Sequence, residues 1–477
     1  MQILKKSFDE FSRLLDVFPP FKMGDVETKL PIIQGGMGVG VSRKKLASAV
    51  TLAGGIGTIA SVGLGHKKYR ELKKRETDNR TLTYERKGQI FAEINKAALI
   101  NEIKETRALV GNRPIAVNIM CALSDYDHLV AGAVEAGADI IISGAGVPKE
   151  LPGLVGKSKI KLIPIVSSWL IAQTILSHWE KNYSRRPDAI LLEGPMAGGH
   201  LGYRKKDILP MEEDPDMDSP YKLKRLIEKL KSKIPADIPV IAAGGIFTGK
   251  DILDALSYGA NAVQMATRFV ATAECDAHDN FKHVFVNAKG TQLISSPVGL
   301  PGRAAHLPKL PQPFKCEYKC LKTCDAPSVG FCIADLLVNS AYEGDIEHGL
   351  VFAGSNVSKI NAADVLDVNG NFITVSELMK RIRAEGFIYN LNTMSSALNS
   401  SVEHFISDAQ KSLSDFQTSL RHQVNLDQFC LDCRNRIDQL KNTFQRFKEK
   451  PSSTDLCDLG DKMRLLVDRF TMKMGMA

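Results

Sequence analysis

Residues 238–269 read IPVIAAGGIFTGKDILDALSYGANAVQMATRF, and the fold is decided here. Ile238 to Ala243 form a short apolar run bounded like a buried strand, Gly244-Gly245 follow, and Ile252, Leu253 and Leu256 step at helical spacing before a second apolar run from Ala262 to Ala266. The pattern is strand, glycine turn, helix, strand. Two glycines let backbone amides approach an anion closely, and the positive end of the following helix favours phosphate. A Gly-Gly pair after a strand also serves as a plain tight turn; the reading adopted is a phosphate grip.

Outward from this stretch, buried-strand candidates recur with amphipathic helices between them. Pro31–Ile33 leads into Gln34-Gly35-Gly36-Met37-Gly38, Ile56–Ala60 ends at Ser61, Ile115–Ile119 carries Asn118, and Asp139–Ile142 ends at Ser143-Gly144. Leu162–Val166 ends at Ser167-Ser168, and Ala189–Leu192 ends at Glu193-Gly194-Pro195. Helical patterns fill the gaps near 42–53, 90–110, 125–136, 148–154, 169–182, 222–233, 249–258 and 277–288. Eight strand-then-helix units predict an α/β fold, a (β/α)8 TIM barrel whose working face lies where the strands end. A doubly wound open sheet is the alternative, because periodicity does not prove closure.

That geometry gathers Gly35, Gly36, Met37, Ser61, Asn118, Ser143, Gly144, Ser167, Glu193, His200 and Thr267 at one mouth. Small residues there make room for a flat ligand, and the phosphate grip falls after strands seven and eight. The sixth strand runs into GPMAGGHLGY, residues 194–203, where small residues let the backbone pass close to a cofactor while His200 projects over it. Histidine is the side chain best poised for proton transfer near neutral pH, although a loop histidine is also an ordinary surface residue.

The 477 residues suffice for one large barrel with an appendage. Lys plus Arg exceeds Asp plus Glu by 62 − 54 = 8, without a dominant basic run, so nucleic acid is not implied. The first thirty residues lack a signal-peptide core, and no stretch approaches the roughly eighteen apolar residues of a membrane span, so a cytoplasmic enzyme without a membrane partner is expected. Nine cysteines then read as thiols or ligands rather than a disulfide framework.

LPIIQGGMGVGVS (30–42), AVNIM (116–120), IISGAGVP (141–148), LEGPMAGGHLGY (192–203) and the 238–269 stretch, in this order, resemble the FMN-dependent nitronate monooxygenase family, formerly called 2-nitropropane dioxygenases. The resemblance covers about residues 20–360. It implies FMN contacts from Gly35, Gly36 and Met37, a flavin or ribityl contact near Asn118, and phosphate contacts from Gly244, Gly245 and the Gln264-Met265-Ala266-Thr267 turn. His200 matches the family's active-site histidine, while Ala266 stands where many relatives carry glycine. The implied reaction oxidises an alkyl nitronate, or a nitroalkane, with oxygen to a carbonyl compound and nitrite. His200 would orient the anion or remove the proton α to the nitro group.

Flavin-dependent enoyl-acyl-carrier-protein reductases share the superfamily, so an NADH- or NADPH-dependent reductase of enoyl thioesters is the runner-up. No separate G-x-G-x-x-G fingerprint is present, although in this superfamily the nicotinamide could lie directly on the flavin. A noncatalytic flavin-binding scaffold is the third reading. The acidic segment PMEEDPDMDSP at 210–220 is either a lid or a solvated loop.

Cys316, Cys320, Cys324 and Cys332 crowd the segment after the barrel. Their C-x3-C-x3-C-x7-C spacing fits neither common zinc pairs nor the ferredoxin run, so buried thiols are preferred over a metal site. Downstream, Leu398, Val402, Phe405, Ala409, Leu413, Phe416, Leu420 and Val424 step by three or four, and Cys430, Cys433, Ile437, Leu440, Phe444 and Phe447 resume the seam. The predicted organisation is a helical lead-in over 1–24, the barrel over 25–310, a cysteine-bearing segment over 311–393, and a helical hairpin or bundle over 394–477. That tail offers a homodimer surface, a partner-binding surface, or simple docking on its own barrel.

Overall fold

The computed structural model describes residues 2–75, 83–214, 217–308, 318–324, 326–419 and 426–474. The chain divides into two compact units: residues 20–247 with 254–378, and residues 1–19 with 248–253 and 379–477.

In the larger unit eight parallel strands form the barrel: β1 (Ile32–Gln34), β2 (Gly57–Ala60), β3 (Ile115–Met120), β4 (Ile140–Gly144), β5 (Lys161–Val166), β6 (Ile190–Glu193), β7 (Val240–Ala243) and β8 (Ala262–Met265). The pairing order is β1-β8-β7-β6-β5-β4-β3-β2. The ring closes between β1 and the residue preceding β2, because Ile33 bridges Ile56 in parallel, Gln34 N donates to the Ile56 carbonyl at 2.9 Å and Ile56 N donates to the Ile32 carbonyl at 2.9 Å. That closure excludes the open sheet.

The strands are nearly continuous runs of Ile, Val, Leu and Ala, as expected where helices cover one face and the barrel interior occupies the other. Ile33, Ile56, Ile140, Ile142, Ile163, Leu191 and Ile241 fill the interior. An antiparallel hairpin, Phe21–Met23 with Val26–Thr28, adds Phe21, Met23 and Val26 to the same apolar cluster.

Register levels the strand ends. Ala243 of β7 stands opposite both Glu193 of β6 and Gln264 of β8, and Asn118 of β3 stands between Ala60 of β2 and Ile142 of β4. Polar groups at these ends therefore share a layer, although they are far apart in sequence.

A small antiparallel sheet was not anticipated. Gln292–Ser295 pairs with Pro301–His306, which also pairs with Val351–Phe352 and with the two-residue strand Gly199–His200. Pro301-Gly302-Arg303 carries neither alternation nor β-branched residues, so nothing local marks it as a strand. His200 thus sits on a sheet edge rather than in a free loop.

In the smaller unit, the helices Gln2–Leu14, Leu391–Ser419, Leu426–Glu449 and Ser453–Met474 share one apolar core. Leu398, Val402, Phe405, Ala409 and Leu413 are buried, as are Cys430, Cys433, Ile437, Leu440, Phe444 and Phe447. The Phe416 side chain and residues Leu420 and Val424 lie outside the described residues. Leu4 and Phe11 of the first helix join this core. Among the described residues no helix is long and apolar enough to cross a membrane.

Candidate active site

A cavity of about 290 Å³ opens over the carboxyl ends of the strands. Gly35, Gly36, Met37, Asn118, Gly144, Glu193, His200, Gly244, Gly245, Gln264, Met265, Ala266 and Thr267 all line it. Three strand-end serines do not. Ser143 is fully buried, donating to the Ile119 carbonyl at 2.9 Å with its oxygen 2.9 Å from Tyr126 Oη, so it ties β3 to β4. Ser167 donates to the Gly202 carbonyl at 2.7 Å, and the Ser61 hydroxyl is buried away from the cavity. Strand-end position selected them; their rotamers turn them into the wall.

The glycines are required by close packing. A Cβ on Gly36 would fall 2.3 Å from Asn118 Cβ, so this loop presses directly on the Asn118 side chain. Gly244 and Gly245 have φ of +90° and +84°, and a Cβ on Gly244 would lie 2.6 Å from the Gly194 carbonyl oxygen. The turn after β7 is therefore bare backbone lying against the turn after β6. Beside it, the buried Gln264 Oε1 has no hydrogen-bond partner. A cradle of unobstructed backbone with an orphaned acceptor in its wall fits a flat polar cofactor that ends in an anion.

Ala266 packs against the Gly35 loop: a Cβ on Gly35 would lie 3.0 Å from Ala266 Cβ. Thr267 Oγ1 accepts from Gly354 N at 2.9 Å, and Asn356 Nδ2 donates to the Gly245 carbonyl at 2.6 Å. Residues 354–356 thus fasten back onto the glycine turn.

His200 is braced from three sides. Its Nε2 lies 2.8 Å from Ser296 Oγ, its ring meets Phe352 edge-on at 5.3 Å, and its backbone pairs with Gly302. Burial pulls its pKa down to about 4, so the imidazole is neutral at neutral pH.

Behind it, Arg303 is wholly buried. Its guanidinium donates to Glu212 through Nη1 at 2.5 Å and Nη2 at 2.6 Å, to the Ala197 carbonyl at 3.0 Å and to the Pro195 carbonyl at 2.9 Å. The 195–197 turn leading to His200 is thereby fixed. Glu212 sits in the helix Lys205–Glu213, so the start of the acidic 210–220 segment is anchored rather than free to swing; Pro215 and Asp216 lie outside the described residues.

Glu193 ends β6 and lines the same cavity, with burial pushing its carboxyl up to about 8. Neutral Glu193 can donate a hydrogen bond at neutral pH; ionised, it could only accept. Two cavity-lining residues, Val39 at φ +54° and Ala145 at φ +50°, hold left-handed backbone that side chains disfavour.

Sequence patterns did not single out His66, Asn95, Asp125, Ser296 or Arg303. Each lies outside a strand end and is recruited by packing. Cys320 and Cys332 pack beside Tyr69, Phe91, Tyr318 and Ala334, and Cys324 is exposed. Cys316 lies outside the described residues.

A barrel with a glycine cradle at its strand ends and a half-buried histidine beside it defines a flavin-dependent oxidoreductase. The sequence model described as "Nitronate monooxygenase" matches residues 20–381, and the chain belongs to that family. It is 25% identical over 289 residues to a probable nitronate monooxygenase of Staphylococcus saprophyticus, covering 59% of this chain and 76% of that one. It is 26% identical over 335 residues, 70% of each chain, to (3aS,4S,5R,7aS)-5-hydroxy-7a-methyl-1-oxo-octahydro-1H-indene-4-carboxyl-CoA dehydrogenase of Rhodococcus jostii. The fold is shared with FabK from Thermotoga maritima, with a TM-score of 0.55, 24% identity and coverage of 81% of this chain and 98% of that one. Nitroalkane oxidase from Streptomyces ansochromogenes gives a TM-score of 0.53 at 22% identity, covering 80% and 99%.

Proposed function

We propose that the chain binds FMN and oxidises alkyl nitronates with oxygen to carbonyl compounds and nitrite. The observation that carries this reading is that His200 and Glu193 line the same cavity as the glycine cradle, where burial pulls the His200 pKa down to about 4 and pushes the Glu193 carboxyl up to about 8. A substrate anion is favoured by hydrogen-bond donors that face it in a site sheltered from water. Gly244, Gly245 and the Gln264–Thr267 turn would hold the phosphate, while Gly35, Gly36, Met37 and Asn118 would hold the flavin. A bound flavin would supply the electron acceptor that the oxidation needs, with oxygen as the final oxidant.

The chain's own residues bind and orient the substrate. Neutral Glu193 donates to a nitro or nitronate oxygen, and the His200 imidazole, held at Nε2 by Ser296, orients the anion or accepts the α proton of a nitroalkane. Apolar Phe352 and Met196, also lining the cavity, keep water from the reacting carbon.

A second reading, oxidation or reduction of a coenzyme A thioester, is favoured by the substrate in the Rhodococcus relative's name. One experiment separates the two: anaerobic mixing of the purified flavoprotein with propionate 3-nitronate, NADH or NADPH while flavin absorbance is followed. Reduction by nitronate alone, with turnover when oxygen returns, supports the nitronate reading. Reduction by a nicotinamide nucleotide without any response to nitronate overturns it and directs the search to thioesters.

A further inference from the structure

His200 has two roles open to it, orienting an anion or removing a proton from carbon, and the choice depends on which ring nitrogen carries the proton. Its partner decides that. Nε2 lies 2.8 Å from Ser296 Oγ, and Ser296 is only 3% exposed, so its hydroxyl proton needs an acceptor inside the protein.

The surroundings of that hydroxyl leave one arrangement. Val298 N lies 3.4 Å from Ser296 Oγ and, as a backbone amide, can only donate to it. Among the described residues the His200 ring is the one other hydrogen-bond partner of this oxygen. If Nε2 donated as well, Oγ would accept twice while its own O–H had no acceptor, leaving a buried donor unsatisfied. With the O–H donating to Nε2, every group at the contact is satisfied. Nε2 is therefore the lone-pair nitrogen, and the ring proton sits on Nδ1.

Nδ1 is the nitrogen left for a ligand. It makes no hydrogen bond among the described residues and is not sealed in the wall, and His200 lines the cavity. Phe352, edge-on to the ring at 5.3 Å, and the backbone pairing with Gly302 hold the imidazole in this orientation.

We infer that Ser296 fixes His200 as a hydrogen-bond donor, with Nδ1–H offered to a bound anion. A ring nitrogen that already carries a proton has no lone pair with which to take another from carbon. The site therefore acts on a substrate that arrives ionised, a nitronate, and leaves the neutral nitroalkane unreacted. Ser296 is a positioning residue, because it works only through the ring. The substrate consequence rests on the nitronate reading; the tautomer does not.

The first arm reads the tautomer directly, by nitrogen-15 NMR of the flavin-loaded protein with its histidine rings labelled and the His200 signals assigned by their loss in His200→Ala. At neutral pH Nδ1 is expected at the chemical shift of a protonated ring nitrogen and Nε2 at that of an unprotonated one. Nitrite, a small planar anion, should move the Nδ1 signal. Ser296→Ala should bring in the Nε2–H form, while Ser296→Thr, which keeps the hydroxyl, should not. A proton on Nε2 in the wild type, an Nδ1 signal indifferent to nitrite, or an unchanged tautomer in Ser296→Ala overturns the inference.

The second arm compares ethyl nitronate with nitroethane under steady-state turnover. The wild type should prefer the nitronate in kcat/KM by at least about a hundredfold, the scale of the general-base step it lacks. Ser296→Ala should narrow that ratio and Ser296→Thr preserve it. Comparable rates on the two substrates, or a ratio unmoved in Ser296→Ala, overturns the inference. Should neither compound turn over, the nitronate reading fails while the ring signals still decide the tautomer.

Discussion

Arg303 holds Glu212 through two parallel hydrogen bonds, Nη1 to Oε2 at 2.5 Å and Nη2 to Oε1 at 2.6 Å, from a position entirely shut off from solvent. The same guanidinium takes the carbonyls of Pro195 and Ala197, so one side chain joins the helix after His200 to the turn before it. Lysine cannot reproduce that fork. Arg303→Lys is expected to lower kcat/KM more than about tenfold. Arg303→Met, which strands Glu212, should cost about 3–5 kcal/mol of stability. Thermal unfolding and steady-state kinetics on both variants check this, and wild-type kinetics in Arg303→Lys would show that the clamp does not position His200.

Glu193 gives a pH signature. Its folded-state pKa is raised from 4.5 to about 8, so the folded protein keeps a proton that the unfolded chain releases above pH 4.5. Stability from this group therefore falls as pH rises from about 4.5 to about 8 and is flat above. Glu193→Gln should remove that slope and stabilise the protein by a few kcal/mol at pH 9. If neutral Glu193 also supports the substrate anion, wild-type kcat/KM declines above pH 8 and the Gln variant does not; parallel profiles would remove Glu193 from the site.

His200 has the opposite sign. Its pKa is lowered from 6.5 to about 4, so its contribution is present above pH 6.5 and lost as pH falls towards 4. His200→Ala is expected to reduce kcat by about 10²–10⁴. Flavin content, read from the visible spectrum of the purified variant, should stay near one per chain.

Gly36→Ala and Gly244→Ala test the cradle. The first places a Cβ 2.3 Å from Asn118 Cβ; the second places one 2.6 Å from the Gly194 carbonyl at a φ of +90°. Both should purify folded with greatly reduced flavin. Gly156→Ala is the control, since its φ of +56° carries similar backbone strain but no atom lies within 4 Å of the added Cβ, and it should retain full flavin.

The Cys433 thiol of the helical unit should be inert. Cys433 is fully buried and its pKa is pushed up to about 11, chiefly by burial, whereas Cys324 is exposed. A thiol reagent at pH 8 should label Cys324 within minutes and reach Cys433 only on unfolding. Rapid labelling of Cys433 would mean that the seam opens in the native state.

The repeating apolar runs, the glycines at their ends and the spacing of the helices determined the barrel, because local periodicity and turn chemistry suffice to define a strand-helix unit. The same logic placed Gly36, Asn118, His200 and Gly244 at one mouth, and the family resemblance added Gln264. It could not decide which way a strand-end side chain turns, so Ser61, Ser143 and Ser167 read like site residues although they do not line the cavity.

Nor could local pattern announce the sheet pairing of Gly199–His200 with Gly302-Arg303 or the clamp on Glu212, which join residues about a hundred positions apart through backbone bonds and a buried charge. The contact of Ser296 with the His200 ring is likewise set by packing alone. Burial and satisfaction are properties of what surrounds an atom, and only the folded chain supplies those surroundings.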